Sequence, residues 1–267
     1  MKYSRLILCA VVAFAGLQPA AKAQTSVNLG SASSFGVLAG AGIVVTGTVG
    51  STTINGDIGT FPTGTVTGFE NIALNGVNHA DDAVTQQAKT DLLAAFSDAA
   101  GRSPTTSFPA IQDLGGLTLT PGVYNDPSSF AITGTLTLDA QGDPNAVWIF
   151  QAGSTLTTTG LATAGTSQVL LINGGQAENV FWQVGSSATL AGPSLFVGNV
   201  LAFTSITMTS GATVDGGLLA INGVVTLDSD TIDITVDAIP EPAATSLWIA
   251  GCVGLVIGVR KIRRRRS

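Results

Sequence analysis

Residues 200 to 232 read VLAFTSITMTSGATVDGGLLAINGVVTLDSDTI. Within this stretch Ile206, Thr207, Met208 and Thr209 alternate apolar and polar. In a strand alternate side chains point to opposite faces, so Ile206 and Met208 are expected inward while Thr207 and Thr209 stand outward. Gly211, Gly216 and Gly217 then offer corners, and the same alternation returns at Val225, Thr226 and Leu227.

Working outward, the pattern recurs along the chain at Leu117-Thr118-Leu119-Thr120, Thr135-Leu136-Thr137-Leu138, Thr155-Leu156-Thr157 and Ala188-Thr189-Leu190. The first Thr of each segment falls at 118, 135, 155, 189, 207 and 226, in steps of 17, 20, 34, 18 and 19. The apolar run Val169-Leu170-Leu171-Ile172 is expected to supply the rung missing from the double step. Short strands repeating every roughly 17 to 20 residues, with Gly, Asn and Asp at the corners, describe one turn of a three-sided β-solenoid. A β-sandwich also accommodates regular short strands with turn signals. The constant phase of inward aliphatics against outward Thr favours the solenoid, and with it a mainly β fold class.

One segment breaks the pattern. In ADDAVTQQAKTDLLAAFSDAA, residues 80 to 100, the apolar positions Val84, Ala88, Leu92, Ala95, Phe96 and Ala99 follow helical spacing. Asp81 and Asp82 suit a helix start, and Gly101, Arg102 and Pro104 an end. The spacing predicts one long helix laid along the solenoid, its apolar stripe covering wall. Before it, Phe35 to Leu38, Ile43 to Thr48 and Thr63 to Thr67 are expected to form further coils and a cap over one end.

Composition excludes several functions. Only 10% of the 267 residues are charged, against roughly 25% in an average soluble protein, and 33 are glycine. From Gln24 to Pro242 the only basic side chains are Lys89 and Arg102, so the domain repels phosphate backbones and nucleic acid is not an expected partner. His79 is the sole histidine, which leaves no His-based metal site and no Ser/His/Asp triad, and no cofactor is implied. A carbohydrate-active solenoid needs clustered carboxylates and commonly a basic residue. Asp228, Asp230 and Asp233 lie close together but read as turn and edge residues. Trp148 and Trp182 sit in apolar strands and are expected in the core. The chain is therefore not expected to be an enzyme.

The two ends carry addresses. Lys2 and Arg5 precede an apolar run from Leu6 to Leu17, and Ala21-Lys22-Ala23 fits an A-x-A cleavage site, which makes residues 1–23 a signal peptide. The two cysteines, Cys9 and Cys252, fall in the terminal segments, so the domain at 24–237 is expected to have neither disulfide nor thiol. At the other end Pro240-Glu241-Pro242 precedes an apolar segment, 243–259, of about 25 Å as a helix, and then RKIRRRR. This order, over 238–267, resembles the PEP-CTERM sorting signal of Gram-negative bacteria. The resemblance implies an exosortase-type processing enzyme as partner, transient anchoring in the inner membrane through 243–259, and a destination at the cell surface or in extracellular matrix.

A second resemblance spans the domain itself. LGSASSFGVLAGAGIVVTG at 29 to 47, NGDIG at 55 to 59, AAGR at 99 to 102 and LGGLTLTPGVY at 114 to 124 resemble the microbial ice-binding-like family. So do GDPNAVWIFQAGSTLTT at 142 to 158, NVFWQVGSSATL at 179 to 190 and the opening stretch. The resemblance implies a right-handed, three-sided β-solenoid with the N-terminal coil beside the C-terminal one and one helix alongside. It implies secreted or surface-displayed ice binding, as an antifreeze or recrystallisation inhibitor, through one flat Thr-rich face. The face itself is unassigned, and its candidate residues are Thr118, Thr120, Thr135, Thr137, Thr155, Thr157, Thr189, Thr207, Thr209 and Thr226. TAGT at 163 to 166 fits a repeat found on the ice face of some relatives. The other reading is a structural or adhesive matrix solenoid without ice activity.

Overall fold

In a computed structural model, which describes residues 24–160 and 167–234, three parallel sheets of eight strands each close a triangular prism beside one helix. Strands are numbered along the chain. Sheet A runs β4 (Asp57–Thr60), β1 (Phe35–Ala39), β22 (Leu218–Ala220), β19 (Asn199–Ala202), β16 (Val180–Val184), β13 (Trp148–Ala152), β10 (Gly122–Asp126), β7 (Thr106–Ser107). Sheet B runs β5 (Val66–Thr67), β2 (Gly42–Thr46), β23 (Val224–Asp228), β20 (Ile206–Met208), β17 (Ala188–Leu190), β14 (Leu156–Thr158), β11 (Phe130–Ile132), β8 (Gln112–Asp113). Sheet C runs β6 (Ile72–Asn75), β3 (Thr52–Asn55), β24 (Thr231–Asp233), β21 (Ala212–Asp215), β18 (Ser194–Val197), β15 (Gln168–Ile172), β12 (Thr135–Asp139), β9 (Thr118–Leu119).

The strand order reveals the chain's path. Two coils, β1–β3 and β4–β6, form first. The helix α1 (Ala83–Gly101) then carries the chain away, and six further coils climb back until the last, β22–β24, pairs with β1–β3. The N-terminal strands expected to cap an end therefore divide: β1–β3 lie inside the stack, and only β4–β6 form its outermost coil. For the same reason Asp233, expected near an edge, stands on an interior strand, since β24 lies between β21 and β3.

The double step in the threonine spacing also receives a different explanation. Thr157 and Thr189 are direct register partners on neighbouring rungs. Strand β15 is not a missing rung of their sheet but the third side of the coil β13–β15. That coil is lengthened by connections at 159–167 and 173–179, which is why the step doubles without skipping a rung.

Burial follows the architecture. The inner strands of sheet A are covered on both faces, so they read as mostly apolar runs such as WIFQA and VFWQV, every residue buried, their glutamines included. Inside the prism Phe150 stacks on Trp182 with centroids 4.0 Å apart, and Trp182 meets Phe196 at 5.1 Å. The indole N–H of Trp148 donates to the carbonyl of Leu119 and that of Trp182 to Val197, which satisfies both buried donors. At the corner leading from sheet C into sheet A, Gly216 adopts φ 142°, and a Cβ there would lie 2.4 Å from the Gly198 carbonyl oxygen.

The helix packs on the outer side of sheet A, where Ala88, Leu92, Ala95 and Ala99 meet Leu38, Ile149, Phe181 and Leu201. Asp82 is its N-cap and accepts from the Thr85 N–H at 2.9 Å. Thr85, not Val84, begins the buried stripe, and Val84 is exposed. The reason is phase: Thr85 stands three residues before Ala88 and seven before Leu92, while Val84 is one step off that face. Phe96 is partly buried against the same cluster and lies 6.0 Å from Phe203. At the other end the buried amide of Gln151 on β13 donates to the carbonyls of Ala99 and Arg102, both at 2.8 Å, so the sheet itself caps the helix. Lys89 reaches across to the carbonyls of Ala220 and Ile221, and burial lowers its ammonium pKa to about 8. The signal peptide, the PEP motif Pro240-Glu241-Pro242, segment 243–259, both cysteines and TAGT lie outside the described residues.

Candidate functional site

With sheet A covered, two faces of the prism meet solvent, and the candidate threonines divide between them. Thr157, Thr189, Thr207 and Thr226 stand on consecutive strands of sheet B, paired Thr157 to Thr189, Thr189 to Thr207 and Thr207 to Thr226. Their chain neighbours Leu156, Ala188, Leu190, Ile206, Met208, Val225 and Leu227 are all core, which fixes these hydroxyls outward. None of the four hydroxyls has a hydrogen-bond partner among the described residues. They form one straight, in-register row with its polar groups unengaged.

The other candidates are placed differently. Thr155 lies at the corner before β14 and donates to the Ser129 hydroxyl at 2.9 Å. Thr209 lies just after β20, where its hydroxyl accepts the Gly192 N–H at 2.8 Å. Thr118, Thr135 and Thr137 belong to sheet C, with Thr137 paired to Thr118 and Thr135 accepting from the Gln168 amide at 2.9 Å. Thr120 follows β9, is exposed, and offers its carbonyl to the Tyr124 hydroxyl. Ten candidates thus reduce to one row of four and six side chains that are bonded internally or lie elsewhere.

The structure adds residues that the sequence reading missed. Ser129, Ser187 and Ser205 flank the row at the A-to-B corner together with Thr155, and the Ser205 N–H approaches the Ser187 hydroxyl at 3.3 Å. On sheet C, Thr213, Thr231 and Thr53 form a second in-register set of three. Their 18-residue interval from 213 to 231 was available in the sequence. The membership of Thr53 was not, because it depends on the return of the last coil to the first.

Electrostatically the two faces diverge. Sheet C carries Asp139, Asp215 and Asp233 outward, together with exposed Leu170 and Leu195. Along its rim the Asn75 amide donates to Asn55 and the Asn55 amide to Asp233, each at 2.7 Å. Burial, then the charges of Asp233 and Glu178, push the carboxyl of Asp215 up to about 6. Asp215 borders a groove of about 420 Å3 lined also by Asn28, Glu178, Phe181, Asn199 and Ile234. On sheet B the threonine row itself has no ionisable group, and Asp113 and Asp228 mark its margins.

The aspartates considered for catalysis are structural in their contacts. Asp230 is buried at the corner between sheets B and C, accepting the N–H groups of Asp228 at 2.7 Å and Ala212 at 3.0 Å. Burial raises its pKa to about 6 despite those bonds. His79 lies before the helix, its Nδ1 2.7 Å from the Asp82 carboxylate and its Nε2 3.8 Å from Asp57. Among the described residues no group of three or more His, Cys, Asp or Glu is arranged to hold a metal ion. Nor, among them, is any helix long and apolar enough to cross a membrane.

Comparison with known proteins agrees with this fold. The family model described as ice-binding-like matches residues 37–233. An ice-binding protein of Nostoc sp. (strain HG1) is 42% identical over 97% of this chain and 96% of its own. Among solved structures, an ice-binding protein from an Antarctic biological consortium superposes with a TM-score of 0.75 at 42% identity, over 81% of this chain and 95% of that one. One from the Antarctic ascomycete Antarctomyces psychrotrophicus gives 0.74 at 41% identity, over 80% of this chain and all of that one, 100%.

Proposed function

The chain belongs to the ice-binding-like family, and on that premise we propose that it binds ice through the solvent side of sheet B. The observation that carries this reading is the row Thr157, Thr189, Thr207 and Thr226, in register and with unengaged hydroxyls. Adjacent rungs lie about 4.8 Å apart and outward positions along a strand about 6.6 Å apart, so the threonine row, with the corner hydroxyls of Ser187 and Ser205 beside it, forms a narrow lattice of methyls and hydroxyls. Water held on such a lattice merges with ice of similar repeat. The closed hydrogen-bonded prism fixes the side chains beforehand, so little ordering entropy is lost on contact. The row's lack of ionisable groups matters equally, because a strongly hydrated ion imposes its own water geometry.

Sheet C is a poorer surface for ice. Its acidic rim and its exposed Leu170 and Leu195 interrupt any regular hydroxyl lattice. Export and sorting belong to the same proposal: residues 1–23 support secretion, and 238–267 support an exosortase-type partner, passage through the inner membrane by 243–259, and display at a Gram-negative cell surface or matrix. There the domain acts without catalysis or cofactor.

The test is direct. Purified protein at micromolar concentration is expected to shape growing ice crystals and to slow recrystallisation. Folded protein that does neither is a scaffold or adhesive solenoid instead, and the ice reading is wrong.

A further inference from the structure

The row on sheet B does not stop at Thr226. Register pairs Thr226 with Val44 on β2, and Val44 with Thr67 on β5. Across the sheet the full row reads Thr67, Val44, Thr226, Thr207, Thr189, Thr157, Ala131 and Asp113. It crosses the joint where the last coil meets the first. Val44 is half-buried between two core neighbours, Ile43 and Val45, so its side chain faces outward with the threonines. It is the one rung between Thr67 and Thr157 without a hydroxyl.

From this register we infer that Val44 sets the working length of the ice-contacting row, separating Thr67 from the four threonines beyond it. The inference rests on sheet B being the ice-contacting surface. Hydroxyls on neighbouring rungs, about 4.8 Å apart, are too distant to bond each other but suitably spaced to share one bridging water. Four consecutive threonines create three such bridging positions. Val44 places a methyl where the next hydroxyl would stand, so the positions on both its sides have only one partner. Thr67, although exposed and without a hydrogen-bond partner among the described residues, is isolated.

The two ends of the row differ in kind. At the far end Ala131 is followed by Asp113 on the two-residue edge strand β8, where a hydrated carboxylate terminates any lattice. At the joint end the interruption is a single side chain. Val and Thr have nearly the same shape and both favour strands, and an outward, half-buried position lets an added hydroxyl reach solvent. Threonine at 44 would join six threonines in sequence and raise the bridging positions from three to five.

The experiment compares the full chain with Val44→Thr, Val44→Ser and Thr67→Val, with Thr67→Val also combined with Val44→Thr, and with Thr207→Tyr as reference. Thermal hysteresis is read at equal concentration alongside the melting temperature. Val44→Thr is expected to raise hysteresis roughly 1.7-fold, in proportion to bridging positions. Thr67→Val is expected to be silent alone and to remove part of the gain in the combined variant. Should Val44→Thr lower the melting temperature, Val44→Ser supplies the hydroxyl independently, and a gain from either supports the inference. If neither hydroxyl-bearing variant raises hysteresis while Thr207→Tyr abolishes it, sheet B stands and the role of Val44 is overturned. If Thr207→Tyr is without effect, the reading of sheet B itself fails.

Discussion

Sheets B and C share a backbone plan, eight parallel strands with inward aliphatics, yet they present different chemistry to water. Sheet B aligns four threonines in one unbroken row, whereas sheet C divides its threonines between the Thr118–Thr137 pair and the row Thr213, Thr231 and Thr53, among Asp215, Asp233 and exposed Leu170 and Leu195. On the proposed assignment of sheet B, the solenoid does not make an ice surface by itself. What distinguishes the faces is how far one side-chain type persists down a column, and whether carboxyls or exposed leucines interrupt it.

The comparison breaks most readily at the centre of the row. Thr207→Tyr is expected to lower thermal hysteresis at least about tenfold, because a bulky ring lifts the flat surface away from ice, while an outward strand position keeps stability within about 1 kcal/mol. Thr213→Tyr, the matching change on sheet C, is expected to leave hysteresis unaltered. Equal losses from both would erase the distinction between the faces.

The helix provides a control on the covered side. Leu92→Ala removes a fully buried side chain from the stripe against sheet A and is expected to cost about 2–5 kcal/mol in denaturant unfolding. Hysteresis measured where the variant is still folded should match the parent. A loss there would mean that the wall behind sheet B, not only its threonines, shapes the surface.

Acidity separates the faces in another way. The carboxyls of Asp215 and Asp230 have folded pKa values of about 6, above the usual 3.8, so between those values the folded state binds more protons than the unfolded one. By linkage both groups make stability fall as pH rises from about 4 to about 6, with the full penalty present above that window. Asp82, Asp91 and Asp139 are held below the ordinary value by N–H, hydroxyl and amide donors, and their opposite effect lies at lower pH. Asp215→Asn is expected to raise the melting temperature at pH 7 and to flatten the slope between pH 4 and 6. Ice activity should remain level across that range, since the four threonines proposed to carry it do not titrate.

The smallest expected effect is at the margin of the face. Ser205→Ala removes a corner hydroxyl beside the row but none of its four threonines, and hysteresis is expected to fall by less than about twofold, with stability changed by under about 0.5 kcal/mol. A loss as large as that from Thr207→Tyr would widen the contact surface to include the corner.

Much of this was legible in residue order. The alternation of Ile206, Thr207, Met208 and Thr209 gave the inward and outward sides, and the spacing of Ala88, Leu92, Ala95 and Ala99 gave the helix and its buried face. Two things were not legible. Spacing alone mixes faces, because a step of 17 to 20 residues looks the same on any side of a prism; Thr118 and Thr135 entered one list with Thr157 and Thr207 though they lie on different sheets. Nor does a linear repeat disclose that its ends meet, so Thr67 and Val44 could not be aligned with Thr226. Gln151 as a helix cap was hidden for a related reason, since its partners at Ala99 and Arg102 lie about 50 positions away.

The meeting of the last coil with the first also constrains how the molecule can be made. An ordinary repeat protein grows by adding each unit to its sequence neighbour. Here β3 must wait for β24, and the Asn55 side chain for Asp233, 178 residues later. During synthesis, β1–β3 therefore present an open strand edge until nearly the whole domain has emerged. Such long-range closure slows folding and prolongs exposure to mispairing. Truncation before residue 218 would remove the closing coil and leave that edge permanently available to other chains.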